Sequence, residues 1–316
     1  MPELSVIIPA YNVEDYINLC LDSVLNQEFK DMQIIVVEDA SKDRTKDIIS
    51  TYSKNYSCIT MIENNSNIGV GKSRNYGIQV ANGKYIGFID GDDWIDLNYY
   101  STLISVANST CSDIVIAGIR DEYNNHLSSE MRYAYTNEFT IDGRMGLRLL
   151  TKSENMGTFI TPIMNNKIYK KEFLLKNRIV CSDNKSWQDD YFSFFAILHA
   201  NKITFTPKTV YHYRQRHSST THEATASRSK IDNCLDVLSK IKFRLQDSSM
   251  YSVYQHEYQS FVERCISSLL YMIRNETEQK KTDDLCYLFS ALMKISNIGD
   301  IIRYLDNERI YRFFYV

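Results

Sequence analysis

Four short apolar runs constrain this chain more than any other feature. They are Leu4-Ser5-Val6-Ile7-Ile8-Pro9, Gln33-Ile34-Ile35-Val36-Val37, Cys58-Ile59-Thr60-Met61-Ile62 and Tyr85-Ile86-Gly87-Phe88-Ile89. Such runs read as buried strands. Helix-length sequence separates them. A helix over about 13–27 places Ile17, Leu21, Val24 and Leu25 on one face. A second, capped by Ser41 or Asp43, runs to about 56, and a third stops at Gly83. Strands alternating with helices of this size predict βαβ units and a parallel sheet. Right-handed crossovers then gather the post-strand loops on one edge, where ligands of such sheets bind.

The polar clusters fall on that edge: Ala10 to Asn12, Glu38-Asp39, and Asp90-Gly91-Asp92-Asp93 before Trp94. By itself the last cluster fits two readings. It is an acidic turn with solvated side chains, or it is a site where a hard divalent cation relieves repulsion among carboxylates. Three clusters converging on one edge favour a site. A G-x-G-x-x-G after the first strand and a G-x-x-x-x-G-K-[ST] are both absent, which argues against a dinucleotide site and a P-loop. Gly69-Val70-Gly71-Lys72-Ser73 has the wrong spacing for a phosphate loop, though glycine amides with Lys72 or Arg74 at a helix start suit an anion; an ordinary helix cap fits as well.

Further along, a helix is predicted to about 108 and a strand at Asp113 to Ala117. A surface hairpin or loop is expected over 120–138, and a helix from Thr140 to about 150. Trp187-Gln188-Asp189-Asp190-Tyr191-Phe192 opens a helix. Its two acids are ordinary helix-start residues, or one is a general base beside an electrophile. Ile203 to Phe205 and Val210 to Tyr213 alternate like strands. Arg214-Gln215-Arg216-His217 follows, and its arginines suit bidentate phosphate binding. His212 and His217 read equally as residues with no special role. From about Arg228 the spacing is helical and carries no obvious chemistry.

Composition excludes several classes. A net charge of −3 argues against general nucleic-acid binding. Seven scattered cysteines without C-x-x-C spacing fit buried thiols in a reducing compartment rather than disulfides or zinc. No secretory signal and no membrane span are visible, so a cytoplasmic protein is expected. The aromatic and basic stretch 310–316 reads as a packed terminal helix, with membrane contact as the alternative.

Five stretches in order resemble family 2 glycosyltransferases of the GT-A fold. They are Ser5 to Asn12; Val37-Glu38-Asp39-Ala40-Ser41-Lys42-Asp43; Asn67-Ile68-Gly69 with Ser73-Arg74-Asn75-Tyr76-Gly77; Phe88 to Trp94; and Asp189-Asp190-Tyr191-Phe192. Tyr211 to Thr220 also resembles the end of many bacterial members. The resemblance implies an α/β, Rossmann-like fold with a mostly parallel central sheet flanked by helices. It implies a nucleotide-sugar-binding and catalytic domain over 1–222 and a C-terminal helical domain over 223–316. It also implies inverting transfer of a sugar from a nucleotide sugar, UDP-linked in the commonest case. The acceptor would be a hydroxyl of a glycan, lipid-linked or protein-linked molecule in surface polysaccharide synthesis, at the inner face of the membrane. Membrane contact through the C-terminal helices and oligomerisation are compatible with it.

Residue by residue, the resemblance assigns Pro9, Ala10, Tyr11 and Asn12 to the nucleotide pocket and Asp39 to the base. Arg74, Arg214 and Arg216 lie near the phosphates. Asp92 and Asp90 hold Mn²⁺ or Mg²⁺, with His217 or His212 completing the shell. Asp190 is the catalytic base, with Asp189 beside it. Ala40 departs from a usual glycine, Glu38 from aspartate and Asp189 from glutamate. The alternatives are a binding module without catalysis and a sugar nucleotidyltransferase, whose glycine-rich basic signature Pro9 to Asn12 lacks.

Overall fold

A computed structural model describes residues 1–123, 128–151, 158–215, 227–274 and 277–295. The order of elements begins β1 (Leu4–Ala10), α1 (Ile17–Leu25), β2 (Met32–Glu38), α2 (Thr45–Asn55), β3 (Ile59–Glu63), α3 (Val70–Val80) and β4 (Tyr85–Phe88). It continues with β5 (Trp94–Ile95), α4 (Tyr99–Thr110), β6 (Ile114–Tyr123), β7 (Ser128–Tyr133), β8 (Phe139–Ile141), α5 (Gly143–Thr151), β9 (Lys167–Lys170) and α6 (Lys171–Lys176). It ends with α7 (Gln188–His199), β10 (Ile203–Arg214), α8 (Arg228–Asp247), α9 (Tyr251–Arg274) and α10 (Glu278–Ile295).

The described strands form one ten-stranded sheet with the order β3-β2-β1-β4-β9-β6-β10-β5, to which β7 adds beside β6 and β8 beside β10. β3, β2, β1 and β4 run parallel, so their carboxyl ends share one edge. The chain winds from β1 outward to β3 and then returns to the other side of β1. This reversal opens a crevice between β1 and β4, the place where open α/β sheets bind ligands. β9 is antiparallel to both its neighbours and β5 is antiparallel to β10, so the full sheet is mixed.

Every residue of β1 is buried, because helices cover both faces of the sheet. Val6 and Ile8 point into a core layer with Ile17, Leu21, Leu103 and Ile104, whereas Ile7 points into the opposite layer. That second layer is continuous from the sheet to the C-terminal helices, joining Ile7 and Phe88 to Phe194, Leu238, Phe261 and Leu292. Phe194 and Phe261 meet edge to face at 5.0 Å. Glu257 of α9 is buried and pairs with Arg144 at 3.3 Å and Arg148 at 3.6 Å on α5. The expected boundary at 222/223 lies outside the described residues, as does the 310–316 stretch.

Local departures from the predicted elements have identifiable causes. Thr140 does not start a helix: it lies in β8 opposite Thr204, and their hydroxyls meet at 2.7 Å. Asp142 caps α5 instead, its carboxylate accepting the Met145 N–H at 2.8 Å. Asp43, not Ser41, serves the start of α2, accepting the Thr45 N–H at 3.0 Å. α1 begins at Ile17 rather than 13; residues 13–16 form a turn in which the Val13 carbonyl accepts the Tyr16 and Ile17 N–H groups, each at 2.9 Å. The two strand segments near 203 and 213 are one strand, β10, with a register shift between Phe205 and Val210. All seven cysteines are free. Among the described residues no helix is long and apolar enough to cross a membrane.

Candidate active site

The β1 and β2 loops are tied together at the crevice. Asn12 adopts φ 51°, its N–H donates to the Ser41 hydroxyl at 3.1 Å, and its side-chain oxygen accepts the Lys42 N–H at 2.9 Å. Pro9 and Ala10 end β1, and Tyr11 stands 39% exposed beyond them. Ala40 has φ 59°, a backbone state that favours glycine, so the alanine there carries strain. Asp39 is buried and organises the next loop: its carboxylate accepts N–H groups from Asn64, Ile68 and Gly69, each at 2.9 Å. Gly69 takes φ 90°, which only glycine adopts cheaply, and starts α3.

Gly71 lets α3 pack closely on the start of α7. A Cβ there would lie 2.6 Å from the Ser182 carbonyl and 3.3 Å from the Gln188 side chain. The close approach brings α3 to the start of α7 and sets Arg74 between two acids. Its guanidinium donates to Asp90 at 2.7 Å and to Asp189 at 2.6 Å. Arg74 is 2% exposed, so it binds carboxylates from within the protein. The Asp90 and Asp189 side chains remain 30% and 27% exposed.

The two adjacent acids of α7 diverge. Trp187 enters the helix with φ 65°, a strained state for so bulky a residue. Asp189 then faces Arg74, while Asp190 turns to Arg264 of α9. Burial raises the Asp189 pKa; Arg74 opposes that, and the charges of Asp90 and Asp190 add to it. Burial raises Asp190 as well, against Arg264. Lys167 sits close by. It is buried, donates to the Thr161 carbonyl at 3.2 Å and to Asn166 at 2.6 Å, and burial pushes it down to about 7 despite the Asp189 charge.

The acidic loop divides its labour. Asp93 is buried and accepts the Tyr211 hydroxyl at 2.6 Å and the Arg214 N–H at 2.8 Å. Burial and the charges of Asp92 and Asp90 raise its pKa well above the usual range. It braces the loop from inside. The Asp92 carbonyl accepts Arg214 Nε at 2.7 Å. The Arg214 guanidinium lies over the rings of Tyr16 at 5.0 Å and Trp94 at 4.7 Å. His212 also stacks on Trp94, the ring centroids 5.2 Å apart and the planes 9° from parallel. Its ring nitrogens meet Glu122 at 2.6 Å and Asp96 at 2.9 Å. His212 is therefore a brace between carboxylates.

Asp90, Asp189 and Arg74 thus come together; Asp92 and Arg214 adjoin them; Asp39 lies one loop away; and Asp190 points to α9. Arg216 and His217 lie outside the described residues. Sequence reasoning missed Arg264, Lys167 and Tyr211. Arg264 is a charge beside the apolar stripe Phe261, Cys265 and Leu269, a local oddity that only a tertiary partner explains. Among the described residues no group of three His, Cys, Asp or Glu forms a ready metal cage. Asp90 and Asp92 still fit Mg²⁺ or Mn²⁺, which one or two carboxylates hold together with substrate phosphates.

Comparison with known proteins bears on the family and the fold. The chain is 30% identical over 221 residues to the uncharacterized glycosyltransferase EpsJ of Bacillus subtilis, covering 70% of this chain and 63% of EpsJ. It is 32% identical over 221 residues to a poly(ribitol-phosphate) beta-glucosyltransferase of Bacillus spizizenii, covering 67% of this chain and 32% of that protein. The match therefore spans less than two thirds of these relatives' own length. The crystal structure of Staphylococcus aureus TarS 1-349 in complex with UDP-GlcNAc superposes with a TM-score of 0.72 at 22% identity, covering 98% of this chain and 82% of the other. That likeness shows the fold, GT-A. The family model described as Glycosyl transferase family 2 matches residues 5–176, and the chain belongs to that family.

Proposed function

We propose that the protein is an inverting, metal-dependent glycosyltransferase. It moves a sugar from a UDP-linked donor to a hydroxyl of a glycan or lipid- or protein-linked acceptor in bacterial surface-polymer synthesis. One observation carries this reading: Arg74 joins Asp90, at the donor end of β4, to Asp189, at the start of α7, across one crevice. The two carboxylates come from distant elements and face the same space, as donor activation and acceptor deprotonation require. The relatives that act on poly(ribitol-phosphate) and the UDP-GlcNAc complex of TarS support the donor and acceptor classes.

Pro9 to Asn12 and Asp39 line the nucleotide end. Asp92 and Asp90 would hold Mn²⁺ or Mg²⁺, which when bound stabilises charge on the leaving diphosphate. Arg214, whose guanidinium lies over the rings of Tyr16 and Trp94, steadies that diphosphate, with Arg216 assigned to the phosphates and His217 to the metal shell. The acceptor oxygen attacks the anomeric carbon as the bond to the β-phosphate oxygen breaks, and the acceptor proton passes to a carboxylate. We assign that base to Asp189 rather than to Asp190. The Asp189 side chain is 27% exposed and Arg74 fixes its orientation, whereas the Asp190 side chain is 9% exposed and is paired with Arg264. The raised Asp189 pKa suits a base that must take and release a proton.

The test is UDP release. With Mn²⁺ and a panel of UDP-sugars, wild-type protein should turn over at least one donor. EDTA should stop it, and Asp92→Ala should lower kcat by roughly 10²–10³-fold, the order seen when a charge-stabilising group is removed. No turnover of any donor, with or without glycan acceptors, would sink the reading.

A further inference from the structure

We propose that Tyr211 is a positioning residue for the metal: its hydroxyl ties together both ends of the loop that carries Asp90 and Asp92. This rests on the metal-dependent reading above. Asp90, Asp92 and Asp93 put three like charges into four residues, and their repulsion opens such a loop unless something outside it holds it. Inside the loop, the Asp93 N–H donates to the Asp90 carbonyl at 3.0 Å. From outside, β10 supplies the grip. The Tyr211 hydroxyl donates to the Asp93 carboxylate at 2.6 Å and accepts the Asp90 N–H at 3.2 Å, so one oxygen reaches the first and last residues of the loop. Three residues on, Arg214 donates its N–H to the Asp93 carboxylate and its Nε to the Asp92 carbonyl. None of these bonds from β10 uses the carboxylate of Asp90 or Asp92, the two assigned to the cation.

The hydroxyl is itself aimed. The Asn165 side-chain amide donates to it at 3.2 Å, and the Asn165 carbonyl is held in turn by the Tyr99 hydroxyl at 3.1 Å. With two N–H groups donating to the phenol oxygen, its single proton is directed to Asp93. Tyr211 is fully buried, and its backbone is paired in register with Ile95 and Ile119. Replacing it by phenylalanine therefore keeps the ring and the strand and removes only the tie. Asp93 then keeps the Arg214 N–H, but the Asp90 N–H loses this acceptor and the two ends of the loop are no longer joined through one atom. Removing groups that orient metal-binding side chains typically costs roughly 10- to 100-fold in metal affinity.

The experiment measures UDP binding by calorimetry, in Mn²⁺ and in EDTA, for wild type, Tyr211→Phe, Asn165→Ala and Tyr258→Phe. Tyr258 is the control: it is a buried tyrosine of α9 whose hydroxyl donates to the Leu238 carbonyl at 3.1 Å. Wild type should bind UDP more tightly in Mn²⁺ than in EDTA. Tyr211→Phe should bind UDP roughly ten- to a hundredfold more weakly than wild type in Mn²⁺. In EDTA it should bind with wild-type affinity and full stoichiometry. Asn165→Ala should lose less, in the same direction, and Tyr258→Phe should match wild type in both conditions. A structural role alone would lower the stoichiometry, or would weaken UDP equally in Mn²⁺ and EDTA. Either result in Tyr211→Phe, wild-type affinity of that variant in Mn²⁺, or the same loss in Tyr258→Phe would overturn the proposal. A wild type that binds UDP equally well in Mn²⁺ and in EDTA would instead overturn the metal-dependent reading on which it rests.

Discussion

At the scale of single residues, neighbouring acids with the same chemistry have different fates. The Asp92 carbonyl accepts Arg214 Nε, while the Asp93 carboxylate is spent on the Tyr211 hydroxyl and the Arg214 N–H. Asp189 faces Arg74, while Asp190 faces Arg264. The division predicts that Asp189→Asn lowers kcat by about 10²–10⁴-fold, the range for a lost general base. Asp190→Asn should lose less; the reverse order in a parallel assay would reject the assignment of the base. His212 offers a second prediction. Burial alone would lower its pKa, but hydrogen bonds and charges from Asp96 and Glu122 outweigh that and raise it. A folded pKa above the unfolded value of about 6.5 means that the imidazolium is bound more tightly in the folded state. Its contribution to stability is complete below that unfolded value and is lost as pH rises through the folded one. The melting temperature should therefore fall across that window in wild type, and His212→Gln should flatten the fall. Equal slopes in the two proteins would exclude the brace.

At the scale of elements, two glycines of α3 do different things. Gly77 lets the helix settle on β1: a Cβ there would meet Ile7 Cγ2 at 2.3 Å. Gly71 lets the same helix approach α7, where the obstacle is the Ser182 backbone carbonyl at 2.6 Å. Gly77→Ala presses on a side chain within the core and should cost about 1–3 kcal/mol of stability by overpacking, with kcat little changed. Gly71→Ala presses on backbone and should push α3 away from α7, loosening Arg74 from Asp189. Its expected signature is a lower kcat with a smaller change in unfolding free energy than Gly77→Ala shows. Denaturant titrations and kinetics on the two variants separate these effects. Comparable kcat in both would show that the α3–α7 approach does not matter to catalysis.

At the scale of the molecule, the C-terminal helices share a hydrophobic layer with the sheet. Phe194 and Ile197 of α7 lie against a cluster that includes Leu238, Ile241, Phe261 and Leu269. Burial of each such side chain stabilises by roughly 1.5–3 kcal/mol. Ending the chain at residue 227 would uncover α7 and α5, including the partners of Arg264 and Glu257. That fragment should be recovered aggregated, or without cooperative unfolding by calorimetry. A soluble, cooperatively melting fragment would show that the sheet and its own helices suffice.

The sequence by itself determined the α/β alternation, the ligand edge and the acids that belong there. Those features follow from periodicity and turn chemistry, which are local. Asp90, Arg74 and Asp189 were all legible as candidates, because apolar strands ending in charge and helix starts bearing acids have few ordinary explanations in combination. What only the tertiary structure decided was pairing. Whether Asp189 or Asp190 faces the crevice depends on which arginine reaches each, and Arg264 arrives from 74 residues away. Asp93 likewise acquires its role from Tyr211 and Arg214 of β10, and His212 of β10 acquires its own from Asp96 and Glu122, far back in the chain. Charge–charge partners at that separation leave no periodic trace. The order of strands and the packing of α9 on α7 determine which carboxylates remain available for chemistry.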